Sequence, residues 1–335
     1  MHIPLLAPAR RPASNAVEAL WTSSADAASM LTSRVRADLI VDVSTDSAAD
    51  TGSTTHELGG LTYLVTGASS GIGRATALDL GRRGGRVLLA CRSVGPTGEV
   101  VDEIDAAPGP GRAEHLPLDL ADLESVRACA QAVLDRGDPI DVLVNNAGLA
   151  GHAGVTAQGF ERTFGINHLG HFLLTTMLLD HLRSGGAGAG GARIVNLSSN
   201  AHYGAKRIDF DAQLRPTKTF AGLGEYQVSK LCNVLFTQEL ARRVPASEVA
   251  SFAVHPGVVA SNIWQKVPWP IRPIALRFMT SVEDGATTSL HCATAPGLEI
   301  HSGSYFEKSR LREASDAATP ELAAELWSRS LAWTT

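Results

Sequence analysis

Paired cysteines, excess basic charge and long apolar runs are missing from this chain of 335 residues, and each absence excludes a class of protein. The four cysteines stand far apart without a C-x-x-C pair, which argues against a zinc ribbon or disulfide framework and favours a reducing compartment. The net charge of -5 offers neither a nucleic-acid footprint nor a polybasic membrane patch. No apolar run approaches the about 18 to 20 residues that cross a bilayer, and the apolar start is too short for a secretory signal. We therefore expect a cytoplasmic protein without stable membrane insertion.

The first part of the chain differs in composition from the rest. Residues 1 to about 57 are rich in Ala, Ser, Thr and Asp and hold only short apolar clusters. Such a composition buries little apolar surface, so it predicts a poorly ordered N-terminal extension over 1–57 rather than a separate domain. The remaining residues, 58–335, suit one large domain.

The most informative stretch is Leu61 to Arg74, which reads LTYLVTGASSGIGR. A β-favouring apolar run passes through a glycine turn directly into a helix-forming segment, the context in which a glycine pattern indicates a phosphate-binding loop. In such a loop Gly67 allows the tight turn, Gly71 lets the backbone approach a pyrophosphate, and Gly73 lets helix and strand pack closely. The helix N-terminus offers free N–H groups and a positive dipole end to the phosphates.

Strand and helix patterns alternate regularly after this turn. Short buried runs indicate strands, and the segments between them have helical periodicity, so βαβ units on a parallel sheet are expected. The sequence thus predicts an α/β fold, a Rossmann-type doubly wound parallel sheet flanked by helices in a single domain. The predicted strands are Leu61–Val65, Arg86–Ala90, Ala113–Leu118, Ile140–Val144, Arg193–Leu197 and Val249–Val254. The longer predicted helices are Ala121–Asp135, Thr156–Leu182, Glu225–Arg243 and Glu321–Trp333.

Ligands of such sheets bind outside the carboxyl ends of the strands, so polar residues there are candidates for function. They are Arg92, Asp119, Asn145, Ser198, Ser199 and His255. The irregular apolar segment that follows, at about 257–285, is predicted to be a substrate loop rather than ordinary core. His168 and His171 are three positions apart on a predicted helix, but no third ligand stands at zinc spacing, so packing is favoured over metal binding.

Tyr226 and Lys230 stand four positions apart, which puts both side chains on one face of a predicted helix. A phenol with a pKa near about 10 is a poor base at neutral pH, and a neighbouring ammonium group stabilises the phenolate and lowers that pKa. The tuned phenol can then exchange the proton that accompanies hydride transfer. Chance alone yields such pairs occasionally, but this pair follows a strand that ends in serines, where Ser199 can bind a substrate oxygen.

Together these segments resemble the short-chain dehydrogenase/reductases: TGASSGIG at Thr66–Gly73, NNAG at Asn145–Gly148, Asn167, Ser199, YQVSK at Tyr226–Lys230 and Pro256-Gly257. The resemblance implies that Tyr226 is the catalytic acid/base, that Ser199 orients the carbonyl, and that Lys230 holds the nicotinamide ribose. It also implies that Asn167 anchors a proton-relay water. Further cofactor contacts are expected at Ser69, Ser70, Ile72, Arg74, Arg92, Asp119 (against the adenine), Leu120, Asn145 (on the adenosine side), Ala147, Gly148, Pro256, Gly257, Val259 and Ser261.

Within that family the segment Phe164–Thr175 (FGINHLGHFLLT) and the long insert before Tyr226 resemble the retinol-dehydrogenase-like branch. The resemblance implies a ketoreductase or alcohol dehydrogenase acting on a bulky apolar carbonyl or alcohol such as a retinoid, steroid or aromatic polyketide. Two departures are that Gly165, in a helix interior, is expected to loosen Asn167, and that Ser261 replaces a common Thr. The sequence leaves open a homodimer or homotetramer.

The preferred cofactor is argued from charge at the end of the second strand. An acidic residue there would bind the ribose 2′-OH of NAD and repel a 2′-phosphate. This chain has Cys91 and Arg92 at that place, and Arg74 lies just past the glycine turn, so NADP is favoured over NAD. The alternative function is a catalytically silent NADP-binding sensor or scaffold, which would have no need of the Tyr226–Lys230 pair.

Overall fold

The computed structural model describes residues 57–186, 191–219, 222–257 and 281–335. The expected N-terminal extension, apart from residue 57, lies outside the described residues. So do most of the expected substrate loop and the two expected cofactor contacts Val259 and Ser261.

Eight strands form one sheet in the order β3-β2-β1-β4-β5-β6-β7-β8. Strands β1 to β7 are parallel, and β8 pairs antiparallel with β7. This order reverses beside β1, as in a doubly wound sheet, which confirms the predicted fold class. The strands are β1 (Thr62–Thr66), β2 (Arg86–Cys91), β3 (Arg112–Pro117), β4 (Val142–Asn145), β5 (Ala192–Leu197), β6 (Val249–His255), β7 (Tyr305–Glu307) and β8 (Arg310–Arg312).

Helices cover both faces of this sheet. The helices are α1 (Gly71–Arg82), α2 (Val94–Ala106), α3 (Leu123–Arg136), α4 (Arg162–Phe164), α5 (Gly170–Gly185), α6 (Leu223–Arg243), α7 (Val282–Thr294) and α8 (Pro320–Thr334). Helices α1, α2 and α7 contact one another in one layer, while α3, α5, α6 and α8 are linked by contacts in the other. A π-helical segment, Gly165–Leu169, joins α4 to α5.

The core lies between the sheet and these layers. Strands β1, β4 and β6 are buried along their whole length, as expected for central parallel strands covered on both faces. Their Tyr, Val, Ala and Phe side chains form one cluster with the inner faces of α1 and α7. No helix in the described parts of the chain combines the length and hydropathy that a membrane crossing requires.

The predicted helix Thr156–Leu182 is wrong at its start. Thr156 belongs to a turn in which its hydroxyl accepts the Phe160 N–H (3.1 Å), and Val155 and Glu161 form an isolated antiparallel bridge. Gly159 has a φ of +86°, a left-handed conformation that a helix does not tolerate. The helix therefore begins at Arg162, where the Glu161 carboxylate accepts the Phe164 N–H (2.7 Å) as an N-cap.

Candidate active site

A cleft of about 450 Å³ opens at the carboxyl ends of the central strands. It lies between the glycine turn after β1 and the first turns of α6, where the doubly wound sheet predicts a ligand site. Its lining residues are Gly67, Ser69, Ser70, Gly71, Ile72, Gly73, Asn146, Ala147, Gly148, Leu149, Leu197, Ser198, Tyr226, Lys230, Pro256 and Val282. Most of the expected cofactor contacts are thus brought together on one surface.

The glycine turn requires its glycines for two different reasons. Gly67 has a φ of +66°, and a Cβ atom there would lie 2.9 Å from Ala147. At Gly73 a Cβ atom would lie 2.3 Å from the Asn146 amide nitrogen and 2.4 Å from the Gly67 carbonyl oxygen. Gly71, by contrast, has a φ of +55°, and no atom lies within 4 Å of the place where its Cβ would stand. Close packing against Asn146 and Ala147 thus fixes the turn at Gly67 and Gly73, while the backbone at Gly71 stays open to a ligand.

Helix α1 presents its N-terminus to this cleft. The N-cap residue Ser70 makes no capping hydrogen bond with its side chain, and no acidic residue stands in the first turn. The first N–H groups of α1 therefore keep their partial positive charge, which suits a pyrophosphate. This arrangement fits the phosphates of a dinucleotide cofactor.

Lys230 brings a buried positive charge to the opposite wall of the cleft. Its side chain is 5% exposed, and its Nζ donates to the Leu197 carbonyl oxygen at 2.9 Å. Burial lowers the pKa of Lys230 to about 8. An ammonium group has three donors, so the single bond to Leu197 leaves hydrogen-bonding capacity for ribose hydroxyls.

Tyr226 lies one helical turn before Lys230, with Nζ 5.6 Å from the centre of its ring. Burial raises the pKa of the Tyr226 phenol, and the nearby Ser199 hydroxyl opposes that rise. Lys230 is not among the causes of this shift, and its ammonium group donates to the Leu197 carbonyl oxygen instead. That Lys230 lowers the pKa of Tyr226 stays a prediction.

Ser199 lies between the end of β5 and the 3₁₀ segment Asn200–Gly204. Its hydroxyl accepts the Ala201 N–H (3.2 Å), and His202 Nδ1 lies 2.7 Å from its carbonyl oxygen. Since His202 Nε2 accepts the Ser315 N–H (3.1 Å), Nδ1 carries the proton and donates to Ser199. The strand end thus positions the Ser199 hydroxyl beside Tyr226.

Asn167 is fully buried in the π-helical segment, and its side chain is held by three hydrogen bonds. Oδ1 accepts the Leu149 N–H (2.8 Å), while Nδ2 donates to the Leu149 carbonyl oxygen (3.0 Å) and to Ser229 Oγ (3.0 Å). The expectation that Gly165 loosens Asn167 is wrong. A Cβ atom at Gly165 would lie 2.2 Å from the Thr156 methyl group, so the glycine allows close packing there.

The expected adenosine side is more open. Arg92 is largely exposed, and its Nη1 lies 3.9 Å from Asp119 Oδ2. Asp119 Oδ1 also accepts the Ala121 N–H (2.9 Å), and Leu120 is buried beside it. Arg74 forms an ion pair with Glu103, which also binds Arg82.

Asn145 is a correction to the expected cofactor contacts, because its side chain does not reach the cleft. It is 2% exposed, and its Nδ2 donates to Thr175 Oγ1 (2.9 Å) and to Asn196 Oδ1 (2.8 Å). The next residue, Asn146, lines the cleft instead, and its Nδ2 donates to the Thr66 carbonyl oxygen (2.8 Å). Successive side chains of a strand point to opposite faces, so the residue at which β4 ends decides whether Asn145 or Asn146 faces the cleft. The sequence alone does not fix that residue.

Several other residues at the site were not predicted as contacts. Asn146, Leu149 and Leu197 line the cleft, and only their position next to predicted residues could have indicated them. Ser198, which the sequence indicated as a polar residue at a strand end but not as a cofactor contact, also lines it. Val282 joins them from α7, with no signal in the sequence. Pro256 lines the cleft as expected, and Gly257 follows it with a φ of +88°.

The two histidines of the NHLGH segment are each bonded to a hydroxyl group. His168 Nε2 lies 2.9 Å from Ser330 Oγ, and His171 Nε2 lies 2.9 Å from Thr66 Oγ1. Within the described ranges no group of His, Cys, Asp or Glu residues has the arrangement of a metal site.

Comparison with known proteins gives consistent results. The family model described as short chain dehydrogenase matches residues 62–211. Human retinol dehydrogenase 11 is 43% identical over 281 residues, covering 82% of this chain and 85% of that protein. Human retinol dehydrogenase 13 is 39% identical over 288 residues, covering 81% and 83%.

Two solved structures have similar folds. An uncharacterized protein from Mycobacterium paratuberculosis gives a TM-score of 0.66 at 32% identity, covering 83% of this chain and 94% of that one. A blue fluorescent protein from a metagenomic library, solved in complex with NADPH, gives a TM-score of 0.59 at 26% identity, covering 75% and 96%. The chain therefore belongs to the short-chain dehydrogenase/reductase family, in its retinol-dehydrogenase-like branch, and is an NAD(P)-dependent oxidoreductase.

Proposed function

We propose that this enzyme uses NADPH to reduce a bulky apolar ketone or aldehyde to the alcohol, and catalyses the reverse reaction with NADP. The observation that carries the proposal is the Tyr226–Lys230 pair at the cleft that begins at the glycine turn, with the Ser199 hydroxyl beside Tyr226. A sensor or scaffold would need the phosphate-binding turn alone. An acid/base pair beside it supports turnover.

Different residues of the cleft suit successive parts of the cofactor, from its pyrophosphate to its nicotinamide ribose. The free N–H groups of α1 and the backbone at Gly71 would hold the pyrophosphate, and Lys230 would hold the nicotinamide ribose. When bound, the cofactor supplies the hydride that reduces the carbonyl carbon. Leu149 and Pro256 on the cleft wall would exclude water from that end.

Tyr226 would donate its phenolic proton to the substrate oxygen as hydride arrives. Ser199 would donate a hydrogen bond to the same oxygen and fix its distance from Tyr226. Burial raises the pKa of Tyr226, so the phenol stays protonated at neutral pH, which is the form that reduction requires. A ribose-bound Lys230 and a water molecule held near Asn167 would return a proton to Tyr226 after each turnover.

Preference for NADP is supported by the charges at the end of β2. Cys91 is buried, and Arg92 stands beside it with a largely exposed guanidinium group, whose Nη1 lies 3.9 Å from Asp119 Oδ2. A 2′-phosphate could replace that contact with a charge-assisted hydrogen bond. Arg74 is a poorer candidate than the sequence suggested, since Glu103 already binds it. The NADPH complex of the blue fluorescent protein shows that this fold accepts that cofactor in a relative.

The choice of an apolar substrate is supported by the retinol dehydrogenases among the relatives. The cleft wall beyond Tyr226 is also apolar where it is described, at Leu149, Pro256 and Val282. We further propose a reducing, cytoplasmic location, because all four cysteines are free thiols and buried.

The test is a spectrophotometric assay of NADPH oxidation with all-trans-retinal, a steroid ketone and an aromatic ketone, with a polar sugar aldehyde as control. We expect saturable oxidation with at least one apolar carbonyl, none with the sugar, and loss of the activity in Tyr226→Phe. Activity that prefers the sugar, or that survives in Tyr226→Phe, would contradict the proposal. Tight NADPH binding with no turnover on any carbonyl would favour the sensor.

A further inference from the structure

His171 is a buried imidazole that connects the glycine turn with the segment of Asn167. The residue is 2% exposed and lies in the first turn of α5. One ring nitrogen, Nε2, lies 2.9 Å from Thr66 Oγ1, and the other, Nδ1, lies 3.1 Å from the carbonyl oxygen of Asn167. Both nitrogens therefore have partners, and the two partners are 101 positions apart in the chain (167 − 66).

The partners of His171 determine its protonation. A carbonyl oxygen only accepts, so Nδ1 must carry a proton and donate to Asn167. Burial and the charge of Lys230 both lower the pKa of His171, which lies at about 4, so the ring is neutral at physiological pH and Nε2 is an acceptor. Thr66 can supply the matching donor, because its hydroxyl oxygen already accepts the N–H groups of Asn146 (2.9 Å) and Ala147 (3.0 Å). Its proton has His171 Nε2 at 2.9 Å, closer than the Val144 carbonyl oxygen at 3.4 Å.

This bonding links the two halves of the cleft. Thr66 is the residue before Gly67, and Asn146 and Ala147 line the cleft in contact with the glycine turn. Asn167 is bonded to Leu149 and to Ser229, the residue before Lys230. The imidazole of His171 thus adds to the Leu149 bonds a second connection, through Thr66, between the glycine turn and the segment of Asn167.

We propose that His171 is a positioning residue of the active site, which aligns the glycine turn and the Asn146–Ala147 segment with Asn167 through its two ring nitrogens. It touches neither cofactor nor substrate and acts only through Thr66 and Asn167. The inference rests on the proposed function where its test measures turnover. Where the test measures NADPH binding, it needs only the cofactor cleft.

His168 is a matched control in the same segment. It is 1% exposed, burial lowers its pKa to about 3, and its Nε2 also has a hydroxyl partner at 2.9 Å. That partner is Ser330 in α8, however, and the His168 ring packs among Phe164, Phe172 and Phe236. The two histidines therefore share burial and a hydroxyl partner at Nε2. They differ in that His171 also binds Asn167 through Nδ1, and in whether their partners lead to the cleft.

The experiment compares His171→Phe with His168→Phe by thermal melting, by the Kd for NADPH and by kcat. His168→Phe removes one buried hydrogen bond and His171→Phe removes two, so both changes should lower the Tm. We expect His171→Phe also to raise the Kd and to lower kcat, each about tenfold, because two buried partners are released from alignment. His168→Phe should leave the Kd and kcat of the folded protein within about twofold of wild type.

Two conservative variants separate the two bonds. In His171→Gln the amide reaches the ε position, so it can accept from Thr66, and the Kd should stay near wild type while kcat falls. In His171→Asn the amide nitrogen occupies the δ position and can donate to Asn167. We therefore expect kcat to stay closer to its wild-type value than the Kd does. These variants decide the question even if His171→Phe does not fold.

Equal behaviour of the Gln and Asn variants, or a His171→Phe enzyme that changes only in Tm as His168→Phe does, would overturn the inference. A wild-type protein that binds NADPH but reduces no carbonyl would contradict the proposed function instead. The Kd comparison would then decide about His171 alone.

Discussion

Lys230 is expected to destabilise the protein that it serves, and replacing it with Met should show by how much. Burial lowers its pKa from 10.5 to about 8 in the folded protein without cofactor. One pKa unit corresponds to about 1.36 kcal/mol, so keeping this ammonium group charged in the cleft costs about 3 kcal/mol. The charge is 5% exposed, so solvent screening reduces the cost only slightly.

Lys230→Met removes this cost and one hydrogen bond. The Leu197 carbonyl oxygen that Lys230 binds also accepts from Asn233 Nδ2 (2.8 Å), so it keeps a partner in the variant. Allowing about 1 kcal/mol for the lost bond, we expect Lys230→Met to be more stable by about 2 kcal/mol at pH 7, with weaker cofactor binding and little turnover. Lys218→Met, at an exposed position, is the control and should change stability by less than about 0.5 kcal/mol.

The pH dependence supplies the decisive measurement. Below pH 8 the amine is charged in both states, and the full cost is present. Between pH 8 and 10.5 the unfolded chain binds the proton and the folded protein does not, so the stability of the wild type rises with pH. Urea unfolding at pH 7 and pH 10 should show the advantage of Lys230→Met shrinking to less than about 1 kcal/mol. A less stable variant, or an advantage that does not vary with pH, would refute the reasoning.

Three further predictions concern the cleft. Tyr226→Phe should leave NADPH affinity nearly unchanged and lower kcat by about 10²- to 10⁴-fold, and a rate near wild type would exclude Tyr226 as the acid. Arg92→Ala should lower the ratio of the Kd for NADH to the Kd for NADPH about tenfold, measured by titration with both cofactors. A wild type that binds both cofactors equally would contradict the preference for NADP. Gly73→Ala should lower the Tm and raise the Kd for NADPH at least about tenfold, because its Cβ would collide with Asn146. Gly98→Ala in α2, where no atom lies within 4 Å, should be neutral or stabilising, and a Gly73→Ala protein that matched it would contradict the packing argument.

The parts of the fold that the sequence predicted well are those with strong local patterns. Each predicted strand agrees with an observed one to within two residues at either end. The reason is clearest at β1 and β4, which are buried along their whole length and are nearly continuous apolar runs. The last two strands were not predicted. Tyr305–Glu307 is only three residues long, and Arg310–Arg312 is exposed and has no apolar alternation, so neither leaves a readable pattern.

The sequence indicated those parts of the candidate site that depend on residues close together in the chain. It missed those parts that depend on residues far apart in the chain. The glycine turn and the Tyr226–Lys230 spacing are local patterns. The choice of Asn146 over Asn145, the packing of Gly165 against Thr156 and the raised pKa of Tyr226 depend on which groups surround each residue in three dimensions. The crossover connections between the strands determine which groups come together, and a single sequence does not specify the path of those connections.

The cleft is assembled from parts of the chain that are remote from one another. The strands beside it pair residues as far apart as Tyr63 and Val142, which are 79 positions apart (142 − 63). No fragment smaller than most of the domain contains the site, so a partly unfolded chain has no cleft left to bind with. A ligand at 100 times its Kd would thus lower the population of globally opened chains about hundredfold. Where degradation by proteases follows that population, the lifetime of the enzyme in the cell would follow the supply of its cofactor.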